Sequence, residues 1–156
     1  MDKSVCDIRL IDGPFEPAQV HTDFLARFGA YGAVTAFTGV VRGDATGQAV
    51  DYLYLDWYPG MTEASLLAIG EAAAARFEVR ALCIHHRCGR IDAGEPVVFV
   101  AAAAAHRRAT FEAADYMMDR LKSEAAFWKR EVGETVDRWV EPTARDAEDL
   151  KRWSKT

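Results

Sequence analysis

AAAAAHRRATFEAADYMMDRLKSEAAFWKRE, residues Ala101 to Glu131, is the stretch whose reading decides the fold. Its alanines close an apolar run that begins at Pro96 and has the composition of a strand. Past His106 the period changes. Phe111, Ala114, Met118, Leu121 and Ala125 recur at helical spacing and predict a helix from Arg107 to Ala125 with those residues as its buried stripe. Phe127 to Val132 and Thr135 to Val140 return to strand character and predict a hairpin around Gly133-Glu134.

Upstream, Val5 to Leu10 reads as a strand ended by the turn Asp12-Gly13-Pro14, and Pro17 to Phe28 as an amphipathic helix stopped at Gly29. Ala33 to Val41 is apolar and β-branched, and Val50 to Trp57 alternates in part. These two strands are expected to pair antiparallel, joined by the loop from Gly43 to Ala49. Tyr58-Pro59-Gly60 breaks the second, and a helix from Thr62 to Phe77 follows, with Thr62 as N-cap and Leu66, Ile69, Ala73 and Phe77 buried. Val79 to Arg87 and Pro96 to Ala103 flank a turn spanning Gly89 to Glu95, and an acidic helix from Ala144 to Trp153 closes the chain. Hairpins interrupted by single helices indicate an α+β fold with a mainly antiparallel sheet. The expectation is one domain over residues 1–156, with 142–156 as a candidate mobile C-terminal segment.

Half of the 156 residues are hydrophobic and 28% are charged, enough apolar material for one core. No window reaches the roughly 18 apolar residues of a membrane span, and the N-terminus has no signal-like core. A soluble, cytoplasmic protein is expected. The net charge of -5 excludes a general nucleic-acid binder, whose affinity comes from a surplus of Lys and Arg, so any anion must meet a local cluster. Cys6, Cys83 and Cys88 form no CxxC pair and predict reduced thiols. GxxxxGK[ST], GxGxxG and GxSxG are all absent.

Three cationic clusters carry candidate chemistry. His106 and Arg107 fall where a strand gives way to a helix, so free backbone N–H groups and the positive end of the helix dipole would meet a phosphate or carboxylate. Lys122 and Lys129 can line one pocket if the chain folds back beyond the helix, and lysine suits proton transfer or charge stabilisation when burial and neighbouring cations depress its pKa. Arg42 ends a strand at a glycine-containing loop, placed to grip a phosphate through two parallel hydrogen bonds. Beside each stands a plain structural reading as solvated surface charge. Cys83-Ile84-His85-His86-Arg87-Cys88 holds metal-ligand residue types, but strand alternation sends Cys83 and His85 to one face and His86 and Cys88 to the other, which opposes a zinc site. No metal is expected.

Together these residues form a recognisable pattern. Phe37-Thr38-Gly39-Val40-Val41-Arg42, Tyr58-Pro59-Gly60-Met61-Thr62-Glu63, His86-Arg87-x-Gly89 with Gly94-Glu95, Ala105-His106-Arg107, and Leu121-Lys122 with Phe127-Trp128-Lys129-Arg130-Glu131 occur in one order over about Gly32 to Glu141. The chain thereby resembles the catalytic (large) subunit family of molybdopterin synthase. The resemblance implies a hammerhead-type α+β fold, a homodimer within a heterotetramer, and no cofactor. It further implies a small ubiquitin-like sulfur-carrier subunit as partner, whose C-terminal Gly-Gly thiocarboxylate supplies sulfur to cyclic pyranopterin monophosphate. On the same footing Lys122 and Lys129 resemble the catalytic lysines. Val40, Val41, Arg42, His106, Arg107, Arg130 and Glu131 resemble residues around the phosphorylated pterin, and Phe37 and Met118 resemble residues flanking the carrier's tail. A non-catalytic module binding a ubiquitin-like tail is the alternative, and a phosphate-ester enzyme lacks the metal or nucleophile it would need.

Two departures stand out. Asp56-Trp57 replace a Glu-His pair frequent in the family, and Ala126 stands where a proline often fixes the break after the long helix. A helix of about 20 residues also separates its two ends by roughly 25 to 30 Å, so His106-Arg107 and the lysines can meet only by chain reversal or through a second subunit.

Overall fold

The computed structural model describes residues 3–154. In chain order it contains β1 (Val5–Asp12), α1 (Pro17–Phe28), a 3₁₀ turn (Gly29–Tyr31), β2 (Ala33–Val40) and two short strands, β3 (Asp44–Ala45) and β4 (Gln48–Ala49). Then come β5 (Tyr52–Trp57), α2 (Met61–Arg76), β6 (Ala81–Asp92), β7 (Pro96–Ala104), α3 (Arg107–Glu124), β8 (Phe127–Val132), β9 (Asp137–Val140) and α4 (Ala144–Lys151).

The alanine run forms the middle of the sheet. Ala101 to Ala104 are fully buried because β7 is covered on both faces, which is why it shows no apolar–polar alternation. Ala102 and Ala104 pack with α2 and α3 through Leu66, Ile69, Ala113 and Met117, whereas Ala101 and Ala103 pack under Phe24 and Phe28 of α1. Small side chains here let helices lie close on either side.

The sheet runs β2-β7-β6-β5-β8-β9, with β1 added on β6. Every pairing is antiparallel except β1 with β6, so the α+β, mainly antiparallel expectation holds. The expected pairing of Val50–Trp57 with Ala33–Val41 is corrected: β2 pairs with β7, and β5 pairs with β6 and β8. The cause is the length of β6, whose strand character continues through the expected turn as far as Asp92. β1 runs beside Ala81 to Cys88, and β5 takes over at Gly89. Gly89 has φ +79, and a Cβ there would lie 3.2 Å from the Asp12 carboxylate, so the change of partner falls on a residue without a side chain. The turn shrinks to Ala93-Gly94-Glu95.

Two local expectations shift by a residue or two. Gly60, not Thr62, caps α2, and the Glu63 carboxylate accepts from the Gly60 N–H. The buried stripe of α3 is Thr110, Ala113, Ala114, Tyr116, Met117 and Leu121, leaving Phe111 60% exposed and Met118 at the margin of the core. Residues 142–154 dock on the body. Thr143 and Asp146 close a capping box on α4, Arg152 binds Asp115 and Asp119, and the Trp153 indole N–H donates to Asp119 between the rings of Phe77 and Tyr116. Among the described residues no helix is long and apolar enough to cross a membrane.

Candidate active site

The site is assembled where α3 ends and β8 begins. Strand alternation on β8 sends Phe127, Lys129 and Glu131 to the face shared with Leu55 and Leu53 of β5, and Trp128 and Arg130 to the other. Phe127 packs against Val41, Leu53, Leu55 and Ile91, so Lys129 emerges beside an apolar floor. Its pKa is lowered, first by burial, then by the charge of Lys122 in the last turn of α3, with Arg42 adding to it and Glu131 and Asp146 acting in the opposite sense. A second lysine, an arginine and two carboxylates therefore act on Lys129, the five residues coming from four separate segments. Lys122 and Lys129, predicted to share a pocket, lie near enough for the charge of Lys122 to act on Lys129.

His86 on β6 belongs to the same group. Its ring stacks on Phe127 with centroids 4.5 Å apart, and burial with the charges of Lys122 and Lys129 pushes its pKa down to about 4. The ring is therefore neutral at pH 7. Nδ1 lies 2.8 Å from the Arg87 carbonyl, an acceptor, so the proton sits on Nδ1 and Nε2 carries a free lone pair.

Arg42 is held from behind. The Val41 N–H donates to the Glu95 carbonyl and the Val41 carbonyl accepts from Gly94, so both backbone groups of Val41 are engaged by the β6–β7 turn, and its side chain is buried. Arg87, 3% exposed, braces that turn by donating to the Glu95 carboxylate at 2.7 Å and to the carbonyls of Arg90 and Pro96. Glu131 is buried and accepts from Arg138 at 3.1 Å.

Other expected site residues lie elsewhere in the protomer. Arg130 points to the opposite face from Lys129, where Asp137 accepts from it twice at 2.6 Å and Trp139 lies beneath it. Val40 and Phe37 are half exposed on β2, and Phe37 shares the α3 face of the sheet with its neighbour Val100. His106 and Arg107 are exposed at the start of α3, under an open depression of about 430 Å³ that Arg108, Phe111 and Glu112 also line. No side chain caps this helix start and no acidic residue lies in its first turn. The 18 residues of α3 put roughly 25 Å between it and Lys122.

Among the described residues, one group of metal-ligand type occurs. Donor atoms of Asp7, Cys83 and His85 lie within 4.8 Å of one another. Arg9 and His85 already occupy the two Asp7 oxygens, each at 3.1 Å, and burial pushes the Cys83 thiol up to about 12. The cluster is satisfied by its own hydrogen bonds and its thiol is held protonated.

His86 and Asp146 were not assigned to this site from the sequence. Alternation alone could have separated Arg130 from Lys129 and Glu131, but the others join through pairing between distant strands and helices.

Comparison with known proteins gives a consistent result. A protein-family model described as MoaE protein matches residues 10–124. The molybdopterin synthase catalytic subunit of Caulobacter vibrioides is 47% identical over 148 residues, covering 95% of this chain and 97% of that protein. Its counterpart in Escherichia coli K12 is 40% identical over 151 residues, covering 96% and 100%. Among solved structures, molybdopterin cofactor biosynthesis protein E from Burkholderia multivorans superposes with a TM-score of 0.79 at 35% identity, covering 96% of this chain and 97% of that one.

Proposed function

The chain belongs to the MoaE protein family, and from that premise we propose that it is the catalytic subunit of a molybdopterin synthase. It transfers sulfur from the C-terminal thiocarboxylate of a small ubiquitin-like carrier subunit to cyclic pyranopterin monophosphate, building the dithiolene of molybdopterin. The relatives' shared description as catalytic subunits itself calls for a second subunit. The observation that carries the reading is the convergence of Lys122, Lys129 and Arg42 beside an apolar floor, with Lys129 held below the ordinary lysine range. A tail-binding module without chemistry has no use for such a pair.

Each group has a role in this reading. Lys122 polarises the thiocarboxylate carbonyl as sulfur attacks the pterin side chain. Lys129, whose neutral amine is accessible at lower pH than that of a solvated lysine, takes and returns the protons that accompany sulfur addition and loss of water. Arg42, His106 and Arg107 hold the phosphorylated pterin, Glu131 orients Lys129 electrostatically, and Phe37 and Met118 flank the incoming tail. Val40, Val41 and Arg130 complete the pocket as the resemblance implies, Val41 through its position beside Arg42 and Arg130 only after exchange of its present partner Asp137.

The length of α3 favours a homodimer in which the helix start of one copy faces the lysines of the other, and two carriers complete a heterotetramer. Free cysteines suit a reducing compartment, the cytoplasm. Mixing the protein with thiocarboxylated carrier and the cyclic pterin, and following the product by mass spectrometry, tests the assignment. Dithiolene should form with wild type and nearly vanish with a folded, carrier-binding Lys122→Ala. Undiminished turnover in that variant overturns the assignment.

A further inference from the structure

The lysine pair depends on the turn between α3 and β8, and no glycine or proline fixes that turn. Glu124-Ala125-Ala126-Phe127 contains neither glycine nor proline, and Ala125 leaves the helix with φ -68 and ψ 136. The Phe127 N–H donates to the Ala125 carbonyl at 2.8 Å, closing a three-residue turn around Ala126. What holds Ala126 comes from α2. Thr62 Oγ1 donates to the Ala126 carbonyl at 2.7 Å, and the Ala126 N–H donates to Ser65 Oγ at 3.1 Å.

The direction of every proton in this network is forced. The Tyr58 N–H can only donate, so Thr62 Oγ1 accepts from it at 2.9 Å and has its own proton left for the Ala126 carbonyl. The Ala126 N–H can only donate, so Ser65 Oγ accepts from it and passes its proton to the Thr62 carbonyl at 2.8 Å. Both polar groups of one peptide unit's residue are thereby gripped by two hydroxyls one helical turn apart on α2. Thr62 is completely buried, which leaves no room for water to replace it.

We propose that Thr62 and Ser65 are positioning residues for the reaction, clamping Ala126 so that Lys122, before the turn, and Lys129, after it, are held together. The proposal rests on the assignment of those lysines to sulfur transfer. Neither hydroxyl touches the reacting groups; they act through the turn. Of the groups that face Lys129, Lys122 on α3 lies before this turn and Glu131 on β8 after it, while Arg42 beyond β2 and Asp146 on α4 approach from elsewhere. Loosening the turn therefore changes the lysine–lysine spacing first.

The backbone here suggests a rescue. A residue preceding proline must be extended, as Ala125 is, and the centre of a three-residue turn of this kind has a φ that proline can adopt. A proline at 126 has no N–H and needs no acceptor, so it should fix the turn without Ser65. The experiment uses the full chain labelled with 13C at lysine Cε, titrated by NMR, together with steady-state sulfur transfer, in Thr62→Val, Thr62→Ser, Ser65→Ala, Ala126→Pro and Ser65→Ala/Ala126→Pro. Thr62→Val and Ser65→Ala should move the Lys129 titration up towards that of a solvated lysine and lower kcat about ten- to a hundred-fold, with KM for the carrier changed much less. Thr62→Ser, which keeps the hydroxyl, and the double variant should restore both readouts. If Thr62→Val and Ser65→Ala are merely less heat-stable and leave the Lys129 titration and kcat at wild-type values, the clamp is only structural and the proposal fails. It fails equally if the double variant is no better than Ser65→Ala. The lysine titration reads the clamp even if wild type makes no dithiolene, so failure of the functional reading remains a separate result.

Discussion

At one end of α3, His106 and Arg107 stand in solvent on an uncapped first turn, where the helix dipole opposes their charge and no hydrogen bond or ion pair among the described residues offsets it. At the other end, Lys122 sits where the dipole favours a cation, and beyond the turn Lys129 is drawn back against the sheet among Lys122, Arg42 and His86. The first arrangement is open and shaped to receive an anion that arrives with its own charge. In the second, partial burial of Lys129 and repulsion from the exposed Lys122 and Arg42 alter the lysine that has to react. Placement against the dipole marks a binding end; crowding of like charges beside an apolar floor marks a chemical end.

The sharpest way to break this contrast is to compare kinetic parameters from the two ends. Lys122→Ala or Lys129→Ala should lower kcat for dithiolene formation by about 10²- to 10⁴-fold, the usual loss when a positioned proton-transfer or charge-stabilising group is removed. Arg107→Ala should instead raise KM for the cyclic pterin by about ten- to a hundred-fold, the loss of one charge-assisted phosphate contact, with kcat held within a few-fold. Steady-state kinetics at saturating carrier separates the two. A fall in kcat alone on replacing Arg107 would make both ends chemical and erase the distinction.

How far the sequence carried this picture differs between the two ends. The helix start was legible because its signal is local: an apolar strand, then cations, then a helical period from Arg107 onwards. The lysine end was legible only in its lysines. That Lys129 faces Glu131 and not Arg130 follows from alternation in β8, but that His86 and Arg42 reach it depends on which strands neighbour one another. There the expected β2–β5 hairpin failed, because β6 is long enough to pair with β1 and then with β5. Phe111 illustrates the same limit within one helix. Its spacing matches the apolar stripe, yet the sheet buries the face one residue round, through Thr110, whose hydroxyl donates to the Arg107 carbonyl and accepts from Thr35 on β2.

The burial of His86 at the lysine end should also be readable in stability. The folded-state pKa of His86, about 4, lies below the ordinary value of 6.5, so between those values the unfolded chain binds more protons. Stability is therefore fully present above about pH 6.5 and is lost as pH falls towards 4. Because the ring is only partly buried by surface, about 1 kcal/mol is the expected loss between pH 7.5 and 5.5. Urea midpoints of wild type and His86→Gln at those two pH values check this. The variant keeps His85, also lowered by burial, so the difference in slope isolates His86. Equal slopes would mean that the stacked ring is as well solvated as any surface histidine.

The smallest effect is the one that joins the two ends. Within one chain α3 keeps them roughly 25 Å apart, a rigid distance that no loop movement shortens. If the binding end serves the chemical end of a second copy, a chain with Arg107→Ala and a chain with Lys122→Ala damage different halves of each composite site. In a mixed dimer one site then collects both lesions and the other collects none. Random reassociation of equal amounts makes half of the dimers mixed, so at a pterin concentration well below the raised KM of Arg107→Ala, where each variant alone turns over little, about a quarter of the wild-type sites should reappear in the mixture. If both ends instead served one protomer through some larger rearrangement, every site would carry a lesion and mixing would restore nothing. Unfolding and refolding the two variants together, with separately refolded samples mixed afterwards as the control, distinguishes exchange of subunits from residual activity of either one.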